Sequence, residues 1–262
     1  MNLNLKLPIE SLIKIKITIT VFVFLIHVIS YAQDRLNIAI ASSLLLPFQE
    51  IEEEFENTNN CNIEFISAAT GSLTSQILNG APYDLFIAAD LDYPNRLVEA
   101  GLTVDVPAVA LNGTVYFWSS SRVEKDALLF KLTKGTFERI AISNPELAPF
   151  GRTAMDWLIR KEAWEAVQSS LVFGNSVGQV NHYIKINTVN AAFSSNSAAF
   201  SQALQSEGFW IPIEGPDISY VPYFYVILRK SKSKSTAQGF INFLSSESST
   251  ALLRKYGFVI DE

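Results

Sequence analysis

Apolar strands alternate with amphipathic helices along almost the whole chain from Leu36 onward, and strand after strand runs directly into the turn that opens a helix. That alternation calls for an α/β fold with mostly parallel sheets covered by helices on both faces. Leu36 to Ile40 reads as a strand, and Leu45 to Glu56 as a helix with Phe48, Ile51 and Phe55 at helical spacing. Strand Asn62 to Ile66, helix Leu73 to Leu78, strand Leu85 to Ala88 and helix Pro94 to Ala100 follow, the last stopped by Gly101. The pattern restarts with strand Val115 to Ser119, a charged surface stretch from Arg122 to Lys134, strand Arg139 to Ile142 and helix Arg152 to Arg160. Strands Leu171 to Phe173, Ala191 to Phe193 and Tyr223 to Leu228 complete the series, with helices after Val177, from Thr236 to Leu244 and from Ser248 to Tyr256.

This order predicts two α/β lobes, the first discontinuous: residues 33–113 plus 222–262 form one, and residues 114–221 the other. Ligands of open α/β sheets bind at the carboxyl ends of the strands, so a cleft between two such lobes gathers their strand-end turns. The turns are rich in hydroxyls and in helix-opening N–H groups. Ser42-Ser43 follows the first strand and Thr70-Gly71-Ser72 the second. Pro149-Phe150-Gly151, Gly174-Asn175-Ser176-Val177 and Ser194-Ser195-Asn196-Ser197 lie at the ends of later ones. Ser43 and Thr70 each admit a plain reading as helix N-caps. Two adjacent hydroxyl-bearing turns at neighbouring strand ends also form an anion cradle, because the first N–H groups of a helix lack partners within it.

Residues 1–32 carry Lys6, Lys14 and Lys16, an apolar run from Ile17 to Ile29, and small residues at Ser30 and Ala32. That is the pattern of a secretory signal peptide cleaved after Ala32, and the run is shorter than the ~20 residues a membrane span needs. The expected location is therefore the periplasm. Without this segment the chain has 17 basic and 25 acidic side chains, a net charge near −8. A basic nucleic-acid footprint is absent. Cys61 is the sole cysteine and His182 the sole histidine outside the leader, which leaves no intramolecular disulfide and little basis for zinc or His-assisted catalysis.

Other chemistry-bearing residues have simpler readings. Asp84 and Asp90 flank a short strand and act there as ties for the strand end and the following turn. The aromatic segment Tyr220 to Tyr225 reads as a core strand, and His182 as an ordinary helical side chain. A serine hydrolase built on Ser43 or Ser194 would need His182 as its base, and no G-x-S-x-G elbow is present.

Five segments in a fixed order resemble the periplasmic molybdate-binding proteins of ABC transporters, within the type II solute-binding proteins. They are Ala41-Ser42-Ser43-Leu44, Thr70-Gly71-Ser72-Leu73, Gly80 to Asp90, Asn144-Pro145-Glu146 with Ala148-Pro149-Phe150-Gly151, and Lys255-Tyr256-Gly257-Phe258. The resemblance implies a two-lobed, non-enzymatic receptor that holds a tetrahedral dianion, molybdate or tungstate, by neutral donors and delivers it to a permease in the inner membrane. It implies a monomer without a cofactor. It places ligand contacts on the hydroxyls of Ser43 and Thr70, the backbone N–H groups of Phe150 and Val177, and Ser194, where some members have a tyrosine. Sulfate, another oxyanion or a small organic solute is the alternative cargo. Phosphate is disfavoured, because its retained proton calls for a carboxylate acceptor and none of these turns offers one.

Overall fold

The computed structural model describes Lys16, residues 34–213 and residues 220–260. The leader and its cleavage point lie outside the described residues. Two five-stranded sheets divide the strands, in the orders β2-β1-β3-β10-β4 and β7-β6-β8-β5-β9. The first comprises β1 (Asp34–Ala41), β2 (Cys61–Ala68), β3 (Leu85–Ala88), β4 (Ala108–Gly113) and β10 (Val221–Ile227). The second comprises β5 (Val115–Ser119), β6 (Ile140–Ser143), β7 (Leu171–Gly174), β8 (Ala191–Ser195) and β9 (Phe209–Pro212). Both sheets are mixed: β1 with β3 and β6 with β7 and β8 are parallel, whereas β10 and β5 run antiparallel to both of their neighbours.

β1 shows why the strands are so apolar. Leu36, Ile38 and Ile40 on one face join a core with Phe48, Ile51 and Phe55 of α1 (Leu45–Thr58), while Ala39 faces Leu73 and Ile77 of α2 (Thr70–Leu78). A strand covered on both faces needs apolar side chains at every position. The ring of Phe240, in α9 (Lys234–Leu244), meets Phe55 edge-on at 5.2 Å and Phe48 at 6.0 Å. Such pairs each add about 0.5–1.5 kcal/mol beyond area burial.

Register places the functional turns together. Ile40 of β1 lies beside Ile87 of β3, so the chain leaves both strands at the same end. In the second sheet Ser143 of β6 lies beside Gly174 of β7, which brings the starts of α5 (Pro149–Arg160) and α7 (Val177–Lys185) side by side. Between the sheets the chain passes through Gly113, where an added Cβ would stand 3.0 Å from the Tyr223 ring and 3.1 Å from Asn196 Oδ1. Thr114 is tied on both sides: its N–H donates to Asn196 Oδ1 and its carbonyl accepts from Asn196 N, each at 2.9 Å.

Several elements differ from the sequence expectation. The charged stretch from Arg122 to Lys134 contains a helix, α4 (Lys125–Thr133), whose inner face consists only of Leu128 and Leu132. β4 and β9 are strands where none was expected, as are the short helices α6 (Trp164–Val167) and α8 (Asn196–Phe200). The remaining helices are α3 (Asp92–Glu99) and α10 (Glu247–Lys255). Neither Ser43 nor Thr70 caps a helix: the turn at Ser42–Leu44 and helices α1 and α2 have no side-chain cap.

Two glycines make opposite predictions. A Cβ on Gly151 would stand 1.9 Å from the Ser143 carbonyl oxygen, a backbone atom that cannot yield. Gly151→Ala must push the first turn of α5 off β6 and should cost at least the 1–3 kcal/mol typical of overpacking. Gly239, inside α9, would meet only the far edge of Phe55 at 4.0 Å. Gly239→Ala should stabilise by about 0.5–1 kcal/mol through helix propensity. Urea unfolding of the two variants against the parent checks both signs.

Candidate functional site

The carboxyl ends of β1, β2, β3, β6 and β7 converge on one small cavity of about 10 Å³, lined by Ala41, Ser42, Ser43, Ala68, Ala69, Thr70, Ala89, Ala148, Pro149, Phe150 and Val177. A volume near 10–15 Å³ holds about one water, so the walls lie close together. No lining side chain is charged. Four residues singled out in the sequence meet here: Ser43 and Thr70 from the first sheet's side, Phe150 and Val177 from the second's. All four are buried.

Each donor has a structural origin. Phe150 follows Pro149 in the first turn of α5, and Val177 opens α7. The N–H groups of first-turn residues have no partner inside their helix, and the helix dipole adds about half a positive charge there. Proline at the first helical position supplies a fixed φ and removes a donor that would also have been orphaned. The Thr70 hydroxyl accepts from Ala89 N at 3.3 Å, which leaves its own proton available. The Ser43 hydroxyl lies 2.6 Å from the hydroxyl of Tyr223 on β10.

Ser194 is not brought to this cavity. It shares a face of β8 with Ala192, which packs against Val180 and Ile184 of α7, and its hydroxyl donates to Asn181 Oδ1 at 2.5 Å. The strand's period of two turns its side chain to the α7 face of β8. Ser195 and Ser197 hydroxyls pair at 2.8 Å, and Ser197 donates to the Ser43 carbonyl. Asp84 accepts from Asn37 N at 2.9 Å and from the Ser231 hydroxyl at 2.7 Å, ties between strand ends remote from the cavity. His182 is exposed on α7.

Residues that the sequence did not single out join the two sides directly. Ser42, a cavity residue, accepts from Gly178 N at 3.1 Å. Gly71 N donates to the Leu147 carbonyl at 2.9 Å, and the Tyr93 hydroxyl to the Glu146 carbonyl at 2.8 Å. A Cβ on Gly71 would stand 2.8 Å from the Tyr93 oxygen and displace the end of that side chain. Arg152 Nη1 lies 3.6 Å from Asp90 and 3.8 Å from Asp92. Burial raises the Asp90 pKa, against the lowering effects of the Tyr93 N–H and the Arg152 charge. The doublet Ser42-Ser43 was a signal for Ser42, but no local pattern links Tyr223 to a serine 180 positions away.

A larger groove of about 720 Å³ borders the second sheet, lined by Asn144, Pro145, Glu146, Arg152, Met155, Asp156, Trp164 and Phe173. Its two carboxylates and apolar floor suit an anion poorly. The small cavity has the opposite character: neutral hydroxyls, two helix-opening residues and no carboxylate. Such a set is chemically suited to a compact oxyanion.

Comparison with known proteins places the chain among relatives that match along most of its length. A molybdate-binding protein of Azotobacter vinelandii is 28% identical over 224 residues, covering 85% of this chain and 89% of the relative. One of Rhodobacter capsulatus is 27% identical over 231 residues, covering 85% and 87%. The solved structure of a periplasmic molybdate-binding protein from Azotobacter vinelandii superposes with a TM-score of 0.81 at 22% identity, covering 87% of this chain and 100% of that one. The family profile described as bacterial extracellular solute-binding protein matches residues 36–259. The chain therefore belongs to the bacterial extracellular solute-binding protein family.

Proposed function

We propose that this protein captures molybdate or tungstate outside the cytoplasm and delivers it to an ABC permease of the inner membrane. The observation that carries the reading is the neutral cavity where Ser43, Thr70, Phe150 and Val177 meet. In this reading two hydroxyls donate from one lobe and two helix-opening N–H groups from the other. The lobes are residues 33–113 with 222–262, and residues 114–221. Molybdate-binding relatives that match across the chain support the cargo.

The chemistry of the lining favours a fully ionised anion. Hydrogen phosphate must place its own proton on an acceptor, and every lining side chain is alanine, proline, phenylalanine, valine, serine or threonine. Charge-assisted hydrogen bonds to neutral donors hold the dianion in a low-dielectric site without a counter-charge to desolvate. The acidic balance of the chain does not steer the anion in, so retention rests on these short-range bonds.

Closure follows from the same residues. A four-oxygen anion exceeds the present gap, so the lobes must separate to admit it and re-form bonds such as Ser42 to Gly178 and Gly71 to Leu147 around it. The Ser194 hydroxyl, engaged by Asn181, is left out of the proposed contacts.

Calorimetric titration of the chain from Gln33 onward with molybdate, tungstate, sulfate and phosphate tests the proposal. Molybdate and tungstate should bind, and phosphate should not; failure of all four to bind would overturn it. Ser43→Ala and Thr70→Val should each weaken molybdate binding by roughly 1.5–3 kcal/mol, the worth of a hydrogen bond to a charged group. Ser194→Ala should leave the affinity within twofold, and a larger loss would return Ser194 to the site.

A further inference from the structure

Ser43 has one hydroxyl proton and two places to send it. Its Oγ lies 2.6 Å from the Tyr223 hydroxyl oxygen, and the same side chain lines the neutral cavity. If Ser43 donated to Tyr223, the phenol proton would need a second acceptor. Among the described residues none is in hydrogen-bond reach, and Tyr223 is 0% exposed. A buried proton without an acceptor costs about 1–3 kcal/mol. If Tyr223 donates to Ser43, its own proton is satisfied and the Ser43 proton is free to turn towards the cavity.

We propose that Tyr223 is the positioning residue of the site: its hydroxyl donates to Ser43 Oγ and thereby aims the Ser43 proton at the bound oxyanion. The inference rests on the reading of the cavity as an oxyanion site. It assigns the protons of both residues, with the anion oxygen as the last acceptor in a Tyr223–Ser43–oxyanion chain. Each bond in such a chain polarises the next.

The surroundings of Tyr223 fit that task. Its ring packs on Phe150 at 6.1 Å and on Phe258 at 5.9 Å, and Gly113 closes its third side at the 3.0 Å clearance of a missing Cβ. The hydroxyl is thus held in place by the chain crossing between the sheets. Burial also pushes the phenol pKa well above its ordinary range, so the group remains a donor at every pH the protein meets. Tyr223 therefore bears on two of the four proposed contacts: it orients the Ser43 proton and braces the ring of Phe150.

The arrangement also sharpens selectivity. The Ser43 oxygen keeps a second lone pair, but an anion that donated to it would leave either the Ser43 or the Tyr223 proton without an acceptor. Together the two hydroxyls therefore favour an anion oxygen that accepts over one that must donate.

Tyr223→Phe keeps the ring and removes only the hydroxyl. Calorimetry with molybdate and with phosphate on the parent, Tyr223→Phe, Ser43→Ala and the double variant separates the possibilities, with melting temperatures as the fold check. Molybdate binding should weaken about five- to tenfold in Tyr223→Phe, the ratio expected for one net hydrogen bond. Tyr223→Phe should have no further effect once Ser43 is alanine. Unchanged binding in Tyr223→Phe would overturn the proposal. An equal loss in the Ser43→Ala background would overturn it too, because Tyr223 would then act through packing alone. If the parent protein binds no oxyanion, the oxyanion reading itself falls, a result distinct from either of these.

Discussion

The first turn of a helix leaves N–H groups that the helix cannot satisfy, and this fold buries two such turns against each other's ligand space. α5 and α7 start at strand ends that parallel register holds side by side, so Phe150 and Val177 both line one gap. A buried donor without an acceptor costs about 1–3 kcal/mol, which makes an anion the natural partner of that gap. Everything else in the architecture serves to bring a second wall to it. β1 and β2, which flank each other in the first sheet, end opposite these helices, and their turns supply the hydroxyls of Ser43 and Thr70.

The site is neutral in a chain that is acidic overall. Neutral donors give up less hydration on burial than lysine or arginine would, and they discriminate by proton inventory rather than by charge alone. The bonds that cross between the sheets at Ser42, Gly71, Tyr93 and Arg152 use none of the four proposed contacts. Closure and ligand capture can therefore reinforce each other without competing for the same donors.

Much of this was legible in the sequence, for identifiable reasons. β1, β3 and β5 are short apolar runs bounded by turns, and Leu85–Ala88 and Val115–Ser119 emerge with the boundaries expected. α4 was hidden because only Leu128 and Leu132 of its nine residues are buried, so its exposed face reads as a charged loop. β4 and β9 are half-exposed strands with weak alternation. At the site, Ser43, Thr70, Phe150 and Val177 sit at strand-to-helix turns that local pattern reveals. Ser194 lies outside the lining of the cavity because its hydroxyl turns to Asn181 of α7, a partner 13 residues away that no local pattern of β8 reveals. Tyr223 was invisible as a site residue: its apolar neighbours describe a core strand, and only the folded chain shows its hydroxyl beside Ser43.

The central claim is that one tetrahedral oxyanion sits where four turns from two lobes meet. Anomalous diffraction at the molybdenum edge, from crystals grown with molybdate, tests it most directly. A single strong peak with its oxygens in hydrogen-bond reach of Ser43 Oγ, Thr70 Oγ1, Phe150 N and Val177 N is the predicted result. A peak elsewhere, or one contacted by residues of a single lobe, would contradict the account.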